Sequence, residues 1–296
     1  MIRLKKKTRN IIFYIMLISL PCLHFLVFWV GGKFNAIFLA FKSYEGGEHW
    51  VGFDNFRDVF HNIAELENWH IAIKNSLLIF VLNNIATVPP TLLVAYFIHK
   101  KGRLGKAFKV IEYLPSIFSM VVQVTVYQYF CEEAIPTLIQ HFTGKPMMGL
   151  ISGLETRWWT IWFFRIWMGI GGSMILYINQ MNSISDSITE AAALDGVTFW
   201  QEFWKITMPM CWSLFALQFI VSFTGIFGGQ FNLVEFYGLE SDSDLQTVGY
   251  YMYTRMLLGG EPAYPQLSAM GLIITVIMVP LLLFMRWGAD KIDPMQ

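Results

Sequence analysis

The spacing of apolar runs constrains this chain more than any other feature. Six of them occupy residues 11–31, 75–98, 115–131, 158–180, 209–229 and 264–285. Each approaches the length a helix needs to cross the hydrocarbon core of a bilayer. Backbone N–H and C=O groups in hydrocarbon must be satisfied within the segment, so runs of this length are read as helices. With 55% hydrophobic and only 14% charged residues, the composition is that of a membrane protein.

Charge sets the expected orientation. Arg3, Lys5, Lys6, Lys7 and Arg9 precede the first run, and Lys100, Lys101, Arg103, Lys106 and Lys109 lie between the second and third. Arg286 and Lys291 follow the sixth. The stretch 32–73 is acidic instead, with Glu45, Glu48, Asp54, Asp58, Glu65 and Glu67 against Lys33, Lys42 and Arg57. Basic segments stay inside, so both termini are expected in the cytoplasm. The first run is too long for a secretory signal, and Gly31-Gly32-Lys33 is not a cleavage site, so a retained helix is expected. The expected fold is an all-α membrane protein of six transmembrane helices. A basic cytoplasmic N-terminus, 1–10, precedes a single membrane domain, 11–296. Pro89-Pro90 should kink the second span, and Trp158 and Trp159 should anchor the outer end of the fourth.

Chemistry is poorly represented. Cys22, Cys131 and Cys211 have no metal-ligand spacing and read as small buried residues. Gly149 to Gly153 misses the G-x-S-G spacing, and no H-E-x-x-H occurs. Gly102 to Lys106 hints at a phosphate loop, but Ala107 stands where Ser or Thr is needed. No catalytic residue, metal ligand or cofactor is therefore expected in this chain. A net charge of zero suggests no nucleic-acid partner.

The loop 185–209 is different. Ser187 to Glu190 and Thr198 to Gln201 both read as capping boxes, Gly196 can end the first short helix, and Pro209 can begin the next span. The local pattern is helix, bend, helix, membrane, which suits transmission of movement. Glu190-Ala191-Ala192, then Asp195-Gly196, Phe203, Ile206 and Pro209, resemble the EAA loop of ATP-binding-cassette (ABC) importer permeases. "ALDG" and "KITMP" resemble most the carbohydrate-uptake, maltose-type (MalF-like) branch, and "VGFDNF" at Val51–Phe56 with Asn75 adds a weaker match.

That resemblance implies a type I importer permease (MetI-like) core in a bacterial cytoplasmic membrane. It implies that Ala191 to Trp200 form a coupling helix docked on a separate ATPase, with Phe199 and Trp200 offering apolar surface. The implied partners are a second permease, two ABC ATPase subunits that bind ATP and Mg, an extracytoplasmic solute-binding protein and membrane lipid. The solute class it implies is an oligosaccharide.

Arg165 is the clear ionised group inside a span, where a central Arg costs about 2.5–3.5 kcal/mol on the insertion scale. Pairing within the protein, snorkelling and lining of a solute path all remain open for it. Carried over by position, the resemblance puts a sugar site on Arg165, Met168, Gly169 and Gly172 and on Ser222, Gly225, Ile226 and Gly229. Both sets follow i, i+3, i+4, i+7 and so define helical faces. The glycines read either as close helix packing or as room for a solute. Only Ser222 and Gly169 look like the family residues, which puts maltose itself in doubt. If Arg165 faces the path, an acidic, uronate-containing oligosaccharide is expected. Gln123, Tyr127, Gln128, Gln230 and Asn232 read as weaker path candidates or interhelical hydrogen-bonders. A permease for another solute, such as a phosphodiester or amino acid, is the alternative within the superfamily. A channel or ion-coupled transporter is the alternative outside it, though neither intramembrane carboxylates nor inverted repeats are evident.

Overall fold

The structure is a computed structural model that describes residues 6–44, 46–65, 67–100 and 102–292. It divides into two compact units, one formed by the chain before residue 67 with Thr254–Ile277, the other by Glu67–Tyr253 with the chain from Met278 onward.

In the first unit α1 (Lys6–His24) continues through a π-helical turn, Phe25–Val30, into α2 (Gly31–Leu39). The helix was expected to stop at Gly31. It continues because Gly31 keeps helical dihedrals, φ −58° and ψ −45°, and apolar Phe34, Ile37 and Phe38 follow. Phe13, Met16, Leu20 and Phe28 are exposed, as a face turned to lipid requires. Cys22 is exposed too, against the expectation of burial. A small antiparallel hairpin follows, β1 (Lys42–Ser43) and β2 (His49–Trp50), before α3 (Asp54–Glu65). Asn55 of the "VGFDNF" stretch fixes the hairpin's base by donating to the carbonyls of Ala40 (2.9 Å) and Lys42 (2.7 Å).

In the second unit α4 (Glu67–Ala86) and α5 (Val88–Lys100) are separated only at Thr87. Pro89 and Pro90 sit in the first turn of α5, where their missing N–H groups cost nothing. Then come α6 (Gly102–Tyr113), α7 (Met120–Tyr129), α8 (Ile135–Thr143) and α9 (Arg157–Asn182). The elbow comprises α10 (Asp186–Leu194), α11 (Phe199–Glu202) and α12 (Met208–Met210). It leads to α13 (Trp212–Thr224) and the short α14 (Leu233–Tyr237). Two helices, α15 (Val248–Gly259) and α16 (Tyr264–Ile292), complete the described chain, each contributing to both units.

Four helices among the described residues are long and apolar enough to cross a membrane: Phe13–Leu39, Trp69–Lys100, Arg157–Asn182 and Glu261–Ile292. Two bent pairs raise the number to six if each is one span: Ala107–Ile117 with Met120–Thr143 at 99°, and Phe199–Met210 with Trp212–Thr224 at 65°. Both bends have local causes. At the first, Pro115 lies in a 3-10 turn, Phe118 and Ser119 are extended, and the Gln123 amide holds the Pro115 and Phe118 carbonyls at 2.8 Å. At the second, Cys211 leaves the helical region at φ −93°, ψ 1°, two residues beyond Pro209. Pro209 is therefore the middle residue of the three-residue α12, and the regular helix starts at Trp212 rather than at the proline.

Two buried clusters hold this unit together. Leu92, Ala95 and Tyr96 of α5 pack on Met174, Tyr177 and Met181 of α9, with Phe203 and Cys211 from the elbow side. Val124 and Cys131 pack with Ile161 and Phe164 of α9 and with Phe231, Leu233 and Phe236. Lipid tails are as apolar as leucine, so close packing rather than water exclusion stabilises such contacts. Gly171 shows how close: a Cβ there would lie 2.3 Å from the Glu112 carbonyl oxygen.

Candidate functional site

A polar cavity of about 350 Å³ lies among α4, α5, α9 and α13. That is near the lower end of ordinary ligand sites. Asn83, Asn84, Thr87 and Thr91 line it from one side, and Arg165, Met168, Gly169, Ser173 and Tyr177 from α9. Gln218, Ser222 and Asn232 complete the wall. A larger apolar groove of about 1040 Å³ runs along α7 and α9, but its near absence of polar atoms fits hydrocarbon rather than a hydrophilic solute.

The polar groups of the smaller cavity are incompletely paired. Arg165 Nη1 donates to Asn232 Oδ1 at 2.7 Å, and the guanidinium lies over the Phe231 ring, 5.7 Å from its centroid. Asn84 Nδ2 donates to the Phe80 carbonyl (2.8 Å) and to Ser222 Oγ (3.1 Å). Arg165 Nε, Asn83 Oδ1, Thr87 Oγ1 and Tyr177 OH are buried with no hydrogen-bond partner among the described residues. A buried polar group left unpaired costs about 1–3 kcal/mol, so four around one cavity mark a place built to be filled by hydrogen-bonding matter. Glu235 has a buried, unpartnered carboxylate oxygen and acts on Arg165 through space.

Of the residues singled out in the sequence, Arg165, Met168, Gly169 and Ser222 line this cavity. Gly172 faces open space and does not line it. Gly225, Ile226 and Gly229 do not lie on a helical face as expected. The helix ends at Thr224, Gly225 is its C-cap, Ile226 is buried, and Gly229 offers its carbonyl to Thr247 Oγ1 at 3.0 Å. Gln123, Tyr127 and Gln128 donate to backbone carbonyls, Tyr127 to Thr160 and Gln128 to Phe236, each at 2.8 Å. Asn83, Asn84, Thr87 and Gln218 were not singled out, although polar side chains inside apolar runs carried the signal.

The elbow forms a second constellation. Gly196 adopts φ +70°, the left-handed turn that ends α10. Thr198 and Gln201 form the expected capping box: Thr198 Oγ1 accepts from Gln201 N, and Gln201 Oε1 accepts from Thr198 N. The other expected box is absent, because α10 starts at Asp186 and Ser187 Oγ meets Ser185 Oγ at 2.8 Å. Nor do Ala191 to Trp200 form one helix; they are the end of α10, a turn and the start of α11. Glu190, Ala191, Asp195, Phe199 and Trp200 are exposed, as is Leu194 at 89%, whereas Ala192 is buried at 7%.

The elbow is tied to α5 on its inner side. Tyr96, fully buried, meets Phe199 with ring centroids 4.7 Å apart and Phe203 at 5.1 Å. Its hydroxyl donates to the Phe199 carbonyl at 3.3 Å, and Lys100 pairs with Glu202 at 2.5 Å. The start of α11 thus packs against α5, which also carries Thr91 of the cavity wall.

Apolar spans around an arginine-bearing polar cavity, with an exposed helical elbow packed on one of the cavity's own helices, define a polytopic transport subunit. Residues 2–295 match the family described as binding-protein-dependent transport system inner membrane component, and the chain belongs to that family.

It is 27% identical over 195 residues to the probable ABC transporter permease protein YesP of Bacillus subtilis (strain 168), covering 63% of this chain and 60% of that one. Over 283 residues it is 25% identical to the polygalacturonan/rhamnogalacturonan transport system permease protein YteP of the same organism, covering 89% of this chain and 86% of that one. Its fold matches a chain of a bacterial ABC transporter involved in import of the acidic polysaccharide alginate. The TM-score is 0.82 at 23% identity, over 96% of this chain and 97% of that one. A structure of bacterial alginate ABC transporter in complex with alginate pentasaccharide-bound periplasmic protein matches with TM-score 0.79 at 23% identity, over 97% and 96%.

Proposed function

We propose that this chain is the permease subunit of an ATP-driven bacterial importer for acidic oligosaccharides, and that Arg165 receives a sugar carboxylate in the polar cavity. The observation that carries this reading is a buried arginine with an unpartnered Nε lining a cavity that three further residues with unpaired polar atoms also line. A sugar offers many hydroxyls to Asn83, Asn84, Thr87, Ser222 and Tyr177, and a uronate adds the carboxylate an arginine edge prefers. The names of YteP and of the alginate transporter support the same solute class.

In this reading a second permease completes the pore in the cytoplasmic membrane. A solute-binding protein delivers from outside, and two ATPase subunits hydrolyse ATP with Mg on the inside. The exposed face of Glu190, Ala191, Leu194, Asp195, Phe199 and Trp200 docks on an ATPase, and Gly196 permits the bend. ATP-driven closure then biases the pore between two states through the elbow's contacts with α5.

Uptake of matched neutral and acidic oligosaccharides by the full transporter tests the solute. Arg165→Ala should cut uptake of the acidic sugar about tenfold or more, and the neutral one by much less. Equal loss for both, or for neither, sinks the assignment. For the elbow, a cysteine at exposed Leu194 should crosslink to the ATPase; buried Ala192 is the wrong probe. Failure at Leu194, Phe199 and Trp200 alike excludes this docking face.

A further inference from the structure

The segment between α13 and α14 places two consecutive residues other than glycine in the left-handed region, Phe231 at φ 57° and Asn232 at φ 59°. For a bulky side chain such as Phe231 that backbone is an outlier and needs surroundings that over-determine it. The surroundings are on hand. Phe231 is 4% exposed, packed against the Trp158 ring (centroids 5.6 Å apart) and beneath the Arg165 guanidinium. Asn232 is 8% exposed, and its Oδ1 accepts from Arg165 Nη1 at 2.7 Å. One arginine therefore holds both strained residues, one through its face and the other through its edge. Asn232 also lines the cavity, so its amide oxygen occupies a donor that a solute oxygen entering there would use.

We infer that Asn232 is an internal ligand of Arg165 that competes with the solute's carboxylate, and that its displacement releases the Phe231–Asn232 segment from its left-handed conformation. A carboxylate forms a stronger hydrogen bond with a guanidinium than a neutral amide does, so an acidic sugar can make the exchange. A neutral hydroxyl gains no such advantage over the amide. The device thus links recognition of charge to movement of the chain just beyond α13, into α14. This inference rests on Arg165 receiving the carboxylate.

The test is titration of trigalacturonate into the full transporter in nanodiscs, without the binding protein, by calorimetry. Asn232→Gly removes the competing amide and suits the left-handed backbone, so it should tighten binding about tenfold. Asn232→Asp, nearly the same size, seats a permanent carboxylate on Arg165 and should weaken binding at least as much. The neutral trisaccharide should respond to neither change by more than about twofold. If Arg165→Ala abolishes binding of trigalacturonate while Asn232→Gly leaves it unchanged or weakens it, the latch is wrong and the arginine's role stands. If Arg165→Ala binds trigalacturonate like the parent, both ideas fall.

Discussion

Arg157 shows how a single buried charge can organise a loop. Only 6% exposed, it pairs through Nη1 with Asp242 and through Nη2 with Asp244 Oδ1 at 2.5 Å. Asn75 Nδ2 secures the same loop by donating to the carbonyls of Asp244 (2.7 Å) and Gln246 (2.9 Å). The two carboxylates are 66% and 45% exposed, so solvent screens each pair, and losing either one should cost no more than about 1 kcal/mol. Losing both strands a buried guanidinium. Asp242→Asn with Asp244→Asn should therefore exceed the sum of the single effects by roughly 1–2 kcal/mol in the thermal melting of the purified transporter. Simple additivity would show that the aspartates do not share Arg157. None of this clamp was legible in the sequence, where Arg157 stands at the end of a loop 85 and 87 residues from its partners. Arg165 was legible as an intramembrane charge, but its hydrogen bond to Asn232, 67 residues further on, was not. Short-range patterns carry no information about such distant contacts.

At the scale of the elements, the elbow was readable where its physics is local. Gly196 and the box of Thr198 and Gln201 act within four residues, and both adopt the expected geometry. The face drawn through Ser222, Gly225, Ile226 and Gly229 assumed a helix that stops at Thr224, because periodicity counts residues without seeing where a glycine-rich end leaves the helix. The bond between elbow and bundle was also hidden, since Tyr96 reads as one more aromatic in an apolar run. Its ring and hydroxyl join α5 to α11, and a fully buried aromatic truncated to alanine costs about 3–5 kcal/mol. Tyr96→Phe keeps the ring and loses only the hydroxyl's contacts, so coupling should survive. Tyr96→Leu keeps bulk but loses the tilted ring contacts with Phe199 and Phe203. If the elbow drives α5 through that contact, Tyr96→Leu should raise ATP hydrolysed per sugar imported several-fold, with the transporter still assembled. An unchanged ratio would place the mechanical link elsewhere, with the Lys100–Glu202 pair the next contact to break.

At the scale of the whole molecule, the number of crossings depends on the two bent pairs. Four helices qualify alone, and a pair bent by 99° or 65° is either one broken span or a segment that enters and returns. The two readings put the connecting segments on different sides. If Ala107–Ile117 with Met120–Thr143 crosses once, Gly144–Ser152 and the basic α6 region face opposite compartments; if it re-enters, they share one. The charges favour crossing, because Lys106 and Lys109 precede the bend while Glu132 and Glu133 follow it, and basic residues are retained inside. In cells carrying the transporter with Cys22 replaced by serine, a cysteine at Thr143 should react with an impermeant maleimide added outside. A cysteine at Leu194 should react only after permeabilisation, because one further span, α9, separates the two positions. The opposite pattern, Leu194 labelled from outside and Thr143 only after permeabilisation, would make Ala107–Ile117 with Met120–Thr143 a re-entrant segment and remove the six-span arrangement. The elbow could then no longer lie in the compartment where ATP is hydrolysed while the loop clamped by Arg157 lies in the other.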